Sequence, residues 1–160
     1  MDITNKPWQE TEADLIREEI IAKIIEQKWG CSCYKLHPQY HVDYWAEMPH
    51  GGKWVEIKCR SFGFEKYDEL IVSTSKLKNG AQLAMATGHP FVIVFCLTDG
   101  VWYHQWSPYQ KYDIRFMVHE KSRFTENSEP YTYFTKDMLE CLSDKPVVMD
   151  RSDLFLKKDE

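Results

Sequence analysis

The chain has 160 residues, of which 43% are hydrophobic and 14% aromatic, which suits one domain around one sizeable core and excludes a disordered polypeptide. A net charge of −5 excludes a nonspecific nucleic-acid coat protein, which is normally basic. An enzyme acting on nucleic acid needs only a local basic patch. The stretch Lys53 to Lys78 supplies one, with Lys53, Lys58, Arg60, Lys66, Lys76 and Lys78 against Glu56, Glu65, Asp68 and Glu69.

In chain order, residues 1–9 read as an arm, with no basic region followed by an apolar stretch and so no expected secretory signal. Thr11 to Trp29 reads as a helix, free of Gly and Pro and stopped by Gly30. At about 100° per residue, Leu15, Ile21, Ala22, Ile25 and Trp29 span one apolar arc, and Glu18 falls inside it. Glu19, Lys23 and Glu26 fall on the wet side. A carboxylate aimed at a core is costly unless it is paired or binds a metal, so Glu18 asks for a partner.

Cys31 to Leu36 reads as a strand. Five cysteines, an odd number set mostly in or beside apolar segments, read as reduced thiols in the cytoplasm. Cys31 and Cys33 with His37 and His41 offer zinc-ligand types. A packed strand edge accounts equally well for Cys-x-Cys, and the histidines reach the sulfurs only if the chain folds back through Pro38.

Tyr40 to Ala46 and Lys53 to Arg60 read as two strands of a hairpin joined through Met48-Pro-His-Gly-Gly52. Glu69 to Ser73 reads as a short strand. Lys76 to Thr87 reads as a helix with Thr74 or Ser75 as N-cap and Gly88 beyond its end. Phe91 to Leu97, the longest apolar run, is strand length and falls well short of the roughly 18 residues of a membrane span. Asp99-Gly100 turns the chain into a strand from Val101 to Trp106. Tyr112 to Val118 reads as a strand, Lys121 to Pro130 as a polar loop and Tyr131 to Phe134 as a strand. Thr135 caps a short helix reaching Leu142, and a charged tail follows Lys157.

The chemistry concentrates in Trp54-Val-Glu-Ile-Lys-Cys-Arg60. Successive strand side chains alternate faces, so Trp54, Glu56, Lys58 and Arg60 share one face and Val55, Ile57 and Cys59 the other. The first face sets a carboxylate roughly 6–7 Å along the strand from an ammonium. A hairpin centred between Pro49 and His50 puts Asp43 directly across from Glu56, close enough for both to hold one divalent cation.

A helix Glu, a strand Asp and a strand Glu-x-Lys in this order resemble the PD-(D/E)XK nuclease superfamily over roughly residues 11 to 106. Asp43 takes the place of the family's first Asp, and Glu56-Ile57-Lys58 matches its (D/E)-x-K. The Pro preceding that Asp is absent, since His41-Val42 stand there. The resemblance implies an α/β (α+β) restriction-endonuclease-like fold. Its αβββαβ core is a central mixed sheet flanked by helices, here with extra C-terminal strands and a short helix from residue 107 onward, in one domain. It implies hydrolysis of DNA phosphodiesters, with RNA not separated from DNA. Asp43, Glu56 and the Ile57 carbonyl would hold Mg²⁺ or Mn²⁺. Lys58 would orient and help deprotonate the attacking water, and Glu18 would orient a water or bind a second metal. Lys76 and Gln82 on the second helix occupy places where other branches carry supporting residues. Gln82-Leu-Ala-Met-Ala86 is similar to the Gln-x-x-x-Tyr motif of RecB-like nucleases, but Ala86 replaces the Tyr, so the branch stays unassigned. Many such enzymes are dimers, which leaves a homodimer open. A prokaryotic or phage-infected cell is the associated setting.

Two other classes stand beside this one. A catalytically silent binding module on the same fold suits the small size and acidic charge, and a zinc-stabilised adaptor would use Cys31 and Cys33. The aromatics Trp102, Tyr103, Trp106, Tyr109, Tyr112, Tyr131 and Tyr133 read as core and rim in preference to base-stacking surfaces.

Overall fold

The computed structural model describes residues 12–116 and 129–147. A first helix, α1 (Glu12–Trp29), leads into three strands, β1 (Ser32–Lys35), β2 (Tyr44–Met48) and β3 (Gly51–Cys59). Then come β4 (Glu69–Ser73), α2 (Thr74–Thr87), β5 (Phe91–Leu97) and β6 (Gly100–Gln105). β7 (Asp113–Phe116), β8 (Pro130–Thr135) and β9 (Glu140–Ser143) complete the described chain.

β1, β2, β3, β5, β6 and β9 form a six-stranded mixed sheet in that order, in which β3 and β5 run parallel. β4, β8 and β7 form a second, three-stranded antiparallel sheet. β5 sits inside the large sheet, and all seven of its residues are buried, as its unbroken apolar run requires of a strand covered on both faces. Val92, Val94 and Cys96 pack with Ile21, Ala22 and Ile25 of α1 on one face. Phe91, Ile93, Phe95 and Leu97 pack on the other with Leu77 of α2, Leu70 and Val72 of β4 and Phe134 of β8. Each face of one sheet therefore carries its own core.

The β2–β3 register is the expected one, with Met48 opposite Gly51 and Trp45 opposite Trp54 about a two-residue turn at Pro49-His50. The start of β2 differs. Tyr40 to Asp43 is not strand, because Pro38–Tyr40 form a 3-10 turn whose first free N–H, that of Gln39, donates to His37 Nδ1 at 3.2 Å. His41 then takes a left-handed conformation with φ 58° that reverses the chain before Asp43. Leu15 stays 42% exposed, since the apolar face of α1 meets the sheet only from Ile21 onward. The short helix expected after Thr135 is a 3-10 turn, Lys136–Met138, followed by β9. The open edge of β6 accepts β9 as a strand, and that pairing overrides local helix preference. The expected strand to Val118 is β7, and Met117 and Val118 lie outside the described residues, as do most of the expected loop from Lys121 and the tail. No helix among the described residues is long and apolar enough to cross a membrane.

Candidate active site

β3 carries the site because its alternation serves two cores. Val55, Ile57 and Cys59 go to the α1 side, and Trp54 packs on the α2 side with Glu56. Glu56 is thereby carried under α2 and left only 2% exposed. Its Oε1 lies 3.2 Å from Lys58 Nζ and 3.8 Å from Lys76 Nζ. Its Oε2 is buried without a hydrogen-bond partner. Burial first, and then the neighbouring charge of Asp43, push the Glu56 carboxyl up to about 7, while Lys58 and Lys76 pull in the opposite direction.

Asp43 stands where the β2–β3 ladder ends. Its N–H donates to the Val55 carbonyl at 3.1 Å. Its Oδ2 takes the place of a missing strand partner and accepts the Ile57 N–H at 2.7 Å. A strand residue directs its N–H and C=O to the same side, so the Ile57 carbonyl also faces this edge, where β2 no longer runs. Asp43 does not sit squarely across the ladder from Glu56, as simple hairpin counting has it, but at the ladder's broken end.

Glu18 reaches this edge from α1, and its side chain is 13% exposed. Glu19, its neighbour, is exposed and pairs with Lys23. Between Glu18 and Asp43 stands Lys35, at the end of β1. Its Nζ lies 2.6 Å from Glu18 Oε2 and 3.6 Å from Asp43 Oδ1, and it also lies over the Tyr44 ring. The structure thus brings Glu18, Asp43, Glu56, Lys58 and Lys76 to one sheet edge. Gln82 it leaves exposed on α2, and among the described residues it hydrogen-bonds to none of them. Lys35 is the member that sequence reasoning missed. Its signal is the pairing of Lys35 with Tyr44, next to Asp43, which is legible only once β1 is known to lie beside β2.

Among the described residues no three His, Cys, Asp or Glu side chains meet closely enough to hold a metal by themselves. Cys31, Cys33, His37 and His41 are accordingly not brought together, and His37 is occupied in capping the 3-10 turn. The Asp43–Glu56 edge fits a different demand. It offers two carboxylates, one with an orphaned buried oxygen, and a backbone carbonyl. Mg²⁺ is held by one or two carboxylates and keeps several waters, so this hard-oxygen set suits it.

A family model described as "Phage putative PDDEXK endonuclease" matches residues 4–135. The chain belongs to this family. The match runs from before α1 to the end of β8, so every residue of the sheet-edge cluster falls within the endonuclease family's span. No curated protein matches the chain. Among solved structures, it is similar to the 1.6 Å structure of Archaeoglobus fulgidus Hjc, a Holliday junction resolvase from an archaeal hyperthermophile. The TM-score is 0.50 at 11% identity, over 80% of this chain and 87% of that one. At that identity the likeness is one of fold, and the fold is the restriction-endonuclease-like one.

Proposed function

We propose that the protein is a divalent-metal-dependent nuclease that hydrolyses DNA phosphodiester bonds at the Asp43–Glu56 edge. The observation that carries this reading is Glu56, a buried carboxylate with one oxygen unpartnered and the other held by two lysines. A phosphodiester is already anionic, so attack on it requires charge neutralisation and an activated water. Asp43, Glu56 and the Ile57 carbonyl would hold Mg²⁺ or Mn²⁺, which supplies Lewis acidity at the phosphoryl oxygens. Lys58 orients the attacking water and, with Lys76, faces the charge that develops on the phosphorus oxygens. Lys35 fixes Asp43 and Glu18 relative to each other, and Glu18 acts on the site through that link. A metal held there would require Glu56 to be ionised, so metal affinity should rise as pH rises through about 7.

Incubation with plasmid, linear duplex and single-stranded DNA, and with RNA, in Mg²⁺, Mn²⁺ or EDTA tests the proposal. DNA cleavage in either metal, absent in EDTA and lost in Glu56→Ala and Lys58→Ala, is the expected result. The silent-module reading draws on the same ion pairs, since Lys58 and Lys76 neutralise Glu56 without a metal. Its signature is nucleic-acid binding with no cleavage of any substrate.

A further inference from the structure

Beside the carboxylates, on the same face of the sheet, stands a group of aromatic side chains to which catalysis gives no role. Trp54 is two residues before Glu56, roughly 6–7 Å along the strand. Trp45 lies directly opposite Trp54, with ring centroids 4.7 Å apart. His89 meets Trp45 edge-on at 5.2 Å, and Tyr40 lies near-parallel to Trp54, with centroids 6.2 Å apart and an interplanar angle of 21°. We infer that Tyr40, Trp45, Trp54 and His89 form a stacking platform for an unpaired nucleobase next to the scissile phosphate, so the preferred substrate is DNA with strand-separated nucleotides. The inference rests on the proposed nuclease site and specifies its substrate class.

The platform is built into the fold. The Trp45 ring lies against Gly52, where a Cβ would come within 2.2 Å of a ring carbon, so only glycine lets the indole lie across the strand. The Trp54 indole N–H donates to Thr87 Oγ1 at 3.0 Å, which fixes its plane. The 3-10 turn and left-handed His41 deliver Tyr40 over that plane. Trp54 packs at the margin of the α2-side core, but none of the four rings is fully buried, and Tyr40 is 41% exposed. Rings held in place by neighbours and left partly exposed are what base stacking uses, and stacking is tolerant of sequence. It also answers the charge problem, because a chain with net −5 cannot grip a phosphate backbone over its whole surface. In continuous duplex the bases are already stacked and paired, so the platform engages only unpaired ones.

Fluorescence anisotropy in EDTA, where no cleavage intervenes, tests this with four labelled DNAs: a single strand, a flap, a continuous duplex and an abasic single strand. The wild-type protein is expected to bind the single strand and the flap more tightly than the duplex or the abasic strand. Tyr40→Ala and His89→Ala weaken the first two by roughly 5- to 100-fold, while Tyr40→Phe, which keeps the ring, stays within about two-fold. Duplex binding is unchanged throughout. No single-strand binding, an abasic strand bound as well as a normal one, or equal losses in Tyr40→Ala and Tyr40→Phe would each overturn the inference. Because the readout is binding without metal, these results are separate from whether the protein cleaves anything.

Discussion

The proposed function turns on Glu56, whose burial has a thermodynamic consequence apart from catalysis. Its carboxyl has an ordinary value of 4.5 and is raised to about 7 in the folded protein, first by desolvation and then by Asp43. Between those values the folded state keeps a proton that the unfolded chain releases. Stability from this group is therefore lost as pH rises from 4.5 through about 7, and stays lost above. Glu56→Gln, which mimics the protonated form, should stabilise the metal-free protein at pH 8 by an amount on the order of 3 kcal/mol. At pH 5 the gain should fall to about 1 kcal/mol or less. Urea denaturation of both proteins at the two pH values measures the difference. Equal stability of the pair at pH 8 would mean that the carboxylate is already fully compensated by Lys58 and Lys76.

At the scale of elements, α2 brings Lys76 to the site through a close approach at Gly80. A Cβ on Gly80 would come within 2.2 Å of the Phe91 ring, which is itself wholly buried. Lys76 and Gly80 are four residues apart and share a helix face, so the distance set at Gly80 also sets the reach of Lys76. Gly80→Ala should therefore destabilise the fold by roughly 1–3 kcal/mol through overpacking, outweighing the gain of about 1 kcal/mol in helix propensity. Thermal melting checks the direction, and a stabilised variant would show that α2 yields freely. Much of this arrangement was legible beforehand. The two-residue turn at Pro49-His50 fixed the β2–β3 register, and strand alternation put Glu56 and Lys58 on one face. What was hidden depends on distant pairing. β4 and β9 find partners in β8 and β6, and Lys35 reaches Asp43 only because β1 joins the edge of β2. The departure of residues 40–43 from strand follows from one left-handed residue, His41, and histidine, although enriched among the non-glycine residues found there, takes that conformation too rarely for sequence to signal it.

For the whole molecule, strands β8 and β9, beyond residue 106, share its two cores. Phe134 of β8 is fully buried and packs against Phe95, His104 and Tyr112. β4 pairs along its whole length with β8, and Tyr103 of β6 donates a hydrogen bond to Glu140 of β9. A cut near residue 106 would remove Phe134 from one core and Leu142 from the other. Deleting everything after Trp106 should leave Leu70, Val72 and Phe95 uncovered and yield insoluble protein or a form with no near-ultraviolet circular dichroism. A soluble truncated chain with a cooperative melt would contradict this and make residues 11–106 a self-sufficient domain.

The proposed site requires Asp43 and Glu56 together to hold a divalent cation at the end of β2. Anomalous scattering from a crystal soaked in Mn²⁺ tests it most directly. The predicted result is a peak bounded by the Asp43 and Glu56 carboxylates and the Ile57 carbonyl, absent in Glu56→Gln crystals treated identically. A fully soaked crystal with no peak there, or with manganese only at other carboxylates, would rule out this metal site.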